Sequence, residues 1–407
     1  MQFHQTTLEN GLDIVAEINP QAHSAAVGFF VKTGSRDEHP EVSGVSHFLE
    51  HMAFKGDEKF TADDVNRIFD EVGASYNAST SEEVTLYYAA ILPEYLDRTF
   101  ELLASMMRPS LREDDFNVEK RVILEEIGMY EDMPAFSLYE KAMQLHFRKH
   151  PLGQSILGTT DSITALSAQQ MRDYHSQRYG AGNLVLAATG NLDWDQLNSL
   201  AKTYCSHWNT GTPGRIVEEA TPEPAVSWLQ RKEMHQQHVM LMSAAPPTQS
   251  PLRYAAEMAA MIVGDDGIGR IYWELVETGL AETADLAYND LDGSGIWMSY
   301  LCCQPEDAMS NLERIAAICD EFNRNGPTEE ELELARNKVA SRIVLAGERP
   351  MGRLSSLGGN WLYRREYRSI KDDLDAIRSV TLEEIRSLLD QYPIRQTTTI
   401  GLGPLAG

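Results

Sequence analysis

Residues 44–56 read Gly44-Val45-Ser46-His47-Phe48-Leu49-Glu50-His51-Met52-Ala53-Phe54-Lys55-Gly56. The stretch predicts a helix after Gly44, with Val45, Leu49, Met52 and Phe54 as the apolar positions that seat it against a core. Residues four apart on a helix share a face, so His47 and His51 can both reach one ion. Glu50 lies beside that face, close enough to hydrogen-bond a metal-bound water without ligating the metal. Two histidines and a glutamate on a short, otherwise apolar helix are costly unless paired or metal-bound. A hydrolytic zinc site takes three protein ligands and leaves a fourth position for water, so a further ligand is required.

A second helix is predicted from Glu113 to about Tyr130, with Val122, Ile123 and Ile127 for burial. Within it Glu119 and Glu126 stand seven residues apart on one face, and either can supply the third ligand. Spacing alone does not choose between them.

Around these two segments the chain reads as α+β. A hairpin is expected from Thr7 to Glu17 about Glu9-Asn10-Gly11, then an apolar strand from Ser24 to Thr33. A helix starting at Thr61 ends before Gly73, and Glu83–Leu92, rich in β-branched and aromatic residues, is a strand closed by Pro93. Another helix runs from about Glu94 to Met107, and Asn183–Thr189 reads as a buried strand. Between Asn209 and Val226 the chain turns rich in proline and glycine, which sets a boundary between domains 1–215 and 216–407. The second half weakly repeats the first, with a strand at His238–Ala244, a helix at Arg253–Ile262 and a long helix opening at Thr328. Arg253–Gly264 contains no histidine, so a repeat of the metal motif is absent there.

Length and composition fit this reading. A chain of 407 residues with 43% hydrophobic and 24% charged residues suits two globular domains with a core each. A net charge of −26 excludes the basic surface that nucleic acid binding needs, and disfavours anionic membranes. Cys205, Cys302, Cys303 and Cys319 form no CxxC pair, which fits a reducing compartment. The start of the chain lacks the basic and apolar regions of a signal peptide, and no apolar run approaches the ~20 residues that cross a bilayer, so a cytoplasmic protein is expected.

With these motifs in place, the sequence resembles the inverted zincins of the pitrilysin, insulysin and mitochondrial processing peptidase group. The likeness runs from Leu8-Glu9-Asn10-Gly11-Leu12 through residues 44–56, Gly73-Ala74-Ser75-Tyr76-Asn77-Ala78-Ser79-Thr80 and Glu119–Glu126 to Pro151-Leu152-Gly153 and Ile156-Leu157-Gly158. In size it is similar to the short bacterial branch. The resemblance implies that His47, His51 and Glu126 bind Zn2+, that Glu50 is the catalytic base and that Glu119 assists. It implies that Asn77 and Ala78 hold the main chain of a peptide substrate at a sheet edge, and that Phe54 lines the pocket for the side chain after the cleaved bond. It further implies a fold of two similar α+β domains, each a mixed, mostly antiparallel sheet with helices packed on one face, and a dimer, either of like chains or with a related subunit. The expected activity is hydrolysis of short or unfolded peptides. Family members usually carry an arginine and a tyrosine that hold substrate over the zinc; here Leu275 and Glu282 stand at those positions. Arg270, Tyr272 or Tyr288, or a partner subunit, are the candidates to replace them. The alternative reading is a non-catalytic partner subunit, like the respiratory-complex core proteins of the same fold.

Overall fold

The computed structural model describes residues 1–211, 214–215 and 217–406; Pro213 and Ile216, on which part of the expected boundary falls, lie outside the described residues. The first sheet is built from β1 (Gln2–Thr7), β2 (Asp13–Ile18), β3 (Ala25–Val31), β4 (Ser75–Thr80), β5 (Thr85–Ile91) and β6 (Leu184–Gly190), in the order β1-β2-β6-β3-β5-β4. All its pairings are antiparallel except β2 with β6, where Asp13 pairs with Val185. The second sheet uses β7 (Ala225–Gln230), β8 (Gln237–Ala244), β9 (Thr283–Ala284), β10 (Ala287–Leu291), β11 (Ser294–Cys303) and β12 (Thr398–Gly403). Its order is β10-β11-β8-β12-β7, with β9 against β11, and β7 with β12 is its parallel pair.

The repeat suspected from sequence is therefore carried by topology. Reading β2-β6-β3-β5-β4 beside β7-β12-β8-β11-β10 gives the same order, with the parallel pair in the same place. The two long helices, Glu113–Glu131 and Glu329–Gly347, have 19 residues each, and each is followed by a helix that starts on a proline, Pro134–Phe147 and Pro350–Arg364. The expected α+β class, with two similar domains on mixed, mostly antiparallel sheets, is what the chain forms.

The domain boundaries need correcting. The chain divides into a unit of Met1–Met129, Gln154–Ile216 and Leu345–Arg368, and a second of Tyr130–Gly153, Val217–Val344 and Ser369–Gly407. A single cut after residue 215 misses the two exchanged segments. The reason lies in the strands: all seven residues of β3 and all seven of β6 are buried, so both faces of the sheet must be covered. One face of β3 sends Phe29 against Phe100 of the helix Leu96–Met106, at 5.9 Å between ring centroids. The other sends Ala26 and Phe30 into a cluster with Leu354, Leu357 and Leu362 of Pro350–Arg364, which adds a layer on that side. In the second unit Leu138, Ala142 and Met143 of Pro134–Phe147 likewise pack with Met240, Met242, Ile400 and Leu402 of the sheet. The four cysteines are free and buried, and no helix among the described residues is long and apolar enough to cross a membrane.

Candidate metal centre

The motif forms the helix Val45–Ala53, entered through Gly44 at φ 88°. A side chain at Gly44 would place its Cβ 2.4 Å from the carbonyl oxygen of Leu157, so glycine is required there by space as well as by conformation. The helix start is held by Glu38, whose carboxylate accepts the backbone N–H of Gly44 at 2.6 Å and of Ser46 at 2.7 Å. Two of the otherwise unpaired amides of a helix N-terminus are thereby satisfied. Burial nevertheless pushes the Glu38 carboxyl up to about 8, against the pull of those two amides. Val45, Phe48, Leu49 and Met52 are fully buried, which turns His47, Glu50 and His51 to one side.

Across from them the Glu113–Glu131 helix buries Phe116, Glu119, Ile123 and Ile127. His47, His51 and Glu126 each present a donor atom, all within 4.8 Å of one another, and they are the one such group among the described residues. Glu126 Oε2 is 3.4 Å from His51 Nε2 and 3.8 Å from His47 Nε2. Neither separation makes a good hydrogen bond. Both suit donors to a shared ion, since bonds of about 2.0–2.1 Å in a tetrahedral zinc site put neighbouring donors roughly 3.3 Å apart. Glu126 Oε2 is also buried without a hydrogen-bond partner, which costs about 1–3 kcal/mol or more for a charged group unless a cation meets it. The residues present fit zinc.

The surrounding electrostatics separate the roles. Burial, with His51 beside it, pushes His47 down to about 3, so its imidazole is neutral and free to donate a lone pair. Burial pulls His51 down, but its hydrogen bond to Glu119 and the charges of Glu126 and Glu119 outweigh this and raise it. Glu119 is 6% exposed and accepts from His51 Nδ1 at 2.9 Å. A carboxylate only accepts, so the proton sits on Nδ1 and Nε2 is left facing Glu126. Lys55 Nζ pairs with the second Glu119 oxygen at 2.5 Å; burial opposes it, but these hydrogen bonds hold Glu119 below the usual carboxylate range. Burial raises both Glu50 and Glu126. Of the two glutamates that spacing left open, Glu126 joins the donors and Glu119 stands behind one of them.

The other expected site residues fall in two groups. Asn77 and Ala78 lie on β4, an edge strand, and Asn77 is exposed with its side-chain oxygen accepting from the Ala78 amide at 2.9 Å. Phe54 caps the motif helix and its ring lies 6.3 Å from that of Tyr76. Arg270 and Tyr288 belong to the second unit and are engaged there. Arg270 pairs with Glu331 at 2.7 Å and with Glu321, and its guanidinium lies over Phe322. Tyr288 donates to the Pro246 carbonyl at 2.7 Å, and burial raises its hydroxyl beyond the ordinary tyrosine range. Neither side chain is free in this structure to hold a substrate. Three contributors carried no assigned role in the sequence reading: Glu38, Lys55 and Thr80, whose hydroxyl donates to Glu50 Oε2. Lys55 had a signal, lying four residues beyond His51, and Thr80 closes one of the stretches that carry the family likeness, whereas Glu38 had none.

Residues 13–160 match the family model for insulinase, peptidase family M16, and residues 165–339 match that of the peptidase M16 inactive domain. An uncharacterised zinc protease of Mycobacterium leprae is 31% identical over 99% of this chain and 92% of its own length. The chain belongs to peptidase family M16. Another relative of this M16 chain, an uncharacterised zinc protease of Bacillus subtilis, is 29% identical over 95% of this chain and 94% of its own. In fold, this M16 chain is similar to a protease from Helicobacter pylori, with a TM-score of 0.90, 21% identity and 99% of each chain covered. It is also similar to a chain of Complex III2 from Candida albicans, with a TM-score of 0.85, 19% identity and 98% and 96% covered. At those identities the likeness speaks for the fold alone. The label of the second family model agrees with the missing histidines in Arg253–Gly264.

Proposed function

We propose that this chain is a zinc metalloendopeptidase that hydrolyses peptide bonds of short or unfolded peptides. The observation that carries the reading is the convergence of His47, His51 and Glu126 within 4.8 Å, with Glu50 on the same turn but outside the donor group. The zinc-protease names of relatives matched along nearly the whole chain support the choice of metal. When bound, zinc supplies Lewis acidity toward the scissile carbonyl and lowers the pKa of its water toward ~7. Glu50 takes a proton from the attacking water and returns one to the leaving amine, and its burial-raised carboxyl brings its proton affinity closer to neutrality, as a base working there needs. Glu119 orients His51, and Lys55 keeps Glu119 ionised. The free edge of β4 takes the peptide as an added strand, with Asn77 and Ala78 on its main chain and Phe54 beside the residue after the cleaved bond.

The chain works in the cytoplasm as a dimer, of like chains or with a related subunit. A second reading, a non-catalytic partner subunit, draws support from Leu275 and Glu282 at the expected arginine and tyrosine positions and from the engaged state of Arg270. One experiment separates the two. Zinc content and cleavage of an unstructured peptide are measured for wild type and Glu50→Gln, each alone and with any related subunit. The enzyme reading expects one zinc per chain in both proteins and cleavage only by wild type. Stoichiometric zinc without Glu50-dependent cleavage in either setting would favour the partner subunit.

A further inference from the structure

Glu50 lies between two metal-binding histidines in sequence, yet its carboxylate is not in the donor group. A carboxylate one residue from His51 on the same turn has a ready alternative: swinging onto the metal, where it would fill the position that hydrolysis needs for water. The residue that restrains it comes from another element. The motif helix packs directly against β4, and Thr80, the last residue of that strand, donates its hydroxyl hydrogen to Glu50 Oε2. Thr80 and Glu50 are each partly buried, and in such a setting of lowered dielectric a hydrogen bond to a charged oxygen is strong. Thr80 is itself fixed, since it lies opposite Thr85 in the β4–β5 register, at the mouth of the turn that joins the two strands.

We propose that Thr80 is a positioning residue that occupies one oxygen of Glu50, leaves the other for proton transfer and keeps Glu50 from becoming a metal ligand. The inference rests on the zinc peptidase reading and deepens it. It also joins base to substrate, because the strand that holds Glu50 through Thr80 is the strand whose free edge includes Asn77 and Ala78. A peptide added along β4 would therefore rest on the same strand that sets the base.

The test compares wild type with Thr80→Val, which keeps the branched shape and strand preference but loses the donor, and with Thr80→Ser, which restores it. Each is examined with zinc for peptide cleavage, and with cobalt(II) in place of zinc for its visible absorption, which reports the set of ligands on the ion. The expected result for Thr80→Val is a cobalt spectrum with band positions changed from wild type, from a carboxylate in place of water, together with a tenfold or greater fall in kcat at nearly unchanged KM. Thr80→Ser is expected to restore both. A Thr80→Val spectrum and kcat equal to wild type would overturn the proposal, as would equal losses in Thr80→Val and Thr80→Ser, which would mark a packing role. Failure of the wild type itself to bind metal or cleave peptide would instead sink the peptidase reading.

Discussion

Glu119 Oε1 lies 2.9 Å from His51 Nδ1, and this one hydrogen bond decides which nitrogen of His51 is offered to a metal. It comes from a helix remote in sequence from the motif, and it is strengthened from behind by Lys55. Replacing Glu119 by Leu removes the acceptor and leaves the imidazole free to turn. Zinc affinity is expected to fall by about 10–100-fold, the usual effect of losing a partner to a metal-bound histidine. Glu119→Gln, which still accepts, is expected to lose less. Competition against a chelator of known affinity measures both, and equal affinities for wild type and Glu119→Leu would show that the contact does not orient His51.

Zinc binding should depend on pH through the same residue. In the metal-free protein His51 is raised above the ordinary histidine value, so the native state holds its proton more tightly than the unfolded chain does. The stability this confers is fully present below about pH 6.5 and is lost as pH rises through the raised value. Zinc must displace that proton, so its apparent affinity is expected to climb with pH over the same window. His47, already neutral, adds nothing to the slope near neutrality. Chelator competition between pH 6 and 8 reads the effect; a flat affinity would mean that His51 carries no proton there.

Glu38 gives a second pH signature, at the start of the motif helix. Its folded-state value of about 8 lies above the ordinary glutamate value of 4.5, so the native protein binds a proton that the unfolded chain releases. Between those two values stability falls as pH rises. Glu38→Gln cannot titrate, so relative to wild type it is expected to be less stable at pH 5 than at pH 8. Urea unfolding at the two pH values provides the comparison. A constant difference would show that the two amide donors keep Glu38 ionised throughout.

The exchanged helix Pro350–Arg364 is tied to the first sheet by Arg353, which meets Glu17 of β2 through Nε at 2.8 Å and Nη2 at 2.6 Å, both side chains being buried. Removing one partner strands a buried charge. Arg353→Met is expected to cost about 3–5 kcal/mol in chemical denaturation, and Arg353→Met with Glu17→Met to recover much of that loss. Additive losses would show that the pair is not coupled.

Much of this protein was legible in one dimension, for local reasons. The helical period alone brings His47 and His51 to one face with Glu50 beside it, and no tertiary contact is needed to see a chelating pair. Strand and helix positions such as Ala25–Val31 and Ala62–Glu71 followed from an apolar run and from a helix start at Thr61 with a stop before Gly73. Non-local choices were not legible. Glu119 and Glu126 share a helical face, so their roles differ only through what stands opposite: His51 Nδ1 and Lys55 for one, two Nε2 atoms for the other. The exchange of Pro134–Phe147 and Pro350–Arg364 between units was equally hidden, because an apolar helix face records that it must be covered but not by which sheet. Thr80, an ordinary strand residue by composition, acquired a role only when packing set the end of β4 against the motif helix. Sequence determined the chemistry available to this chain, since ligand type and helical spacing are local; tertiary structure alone decided which carboxylate does what, since that depends on distances between segments far apart in the chain.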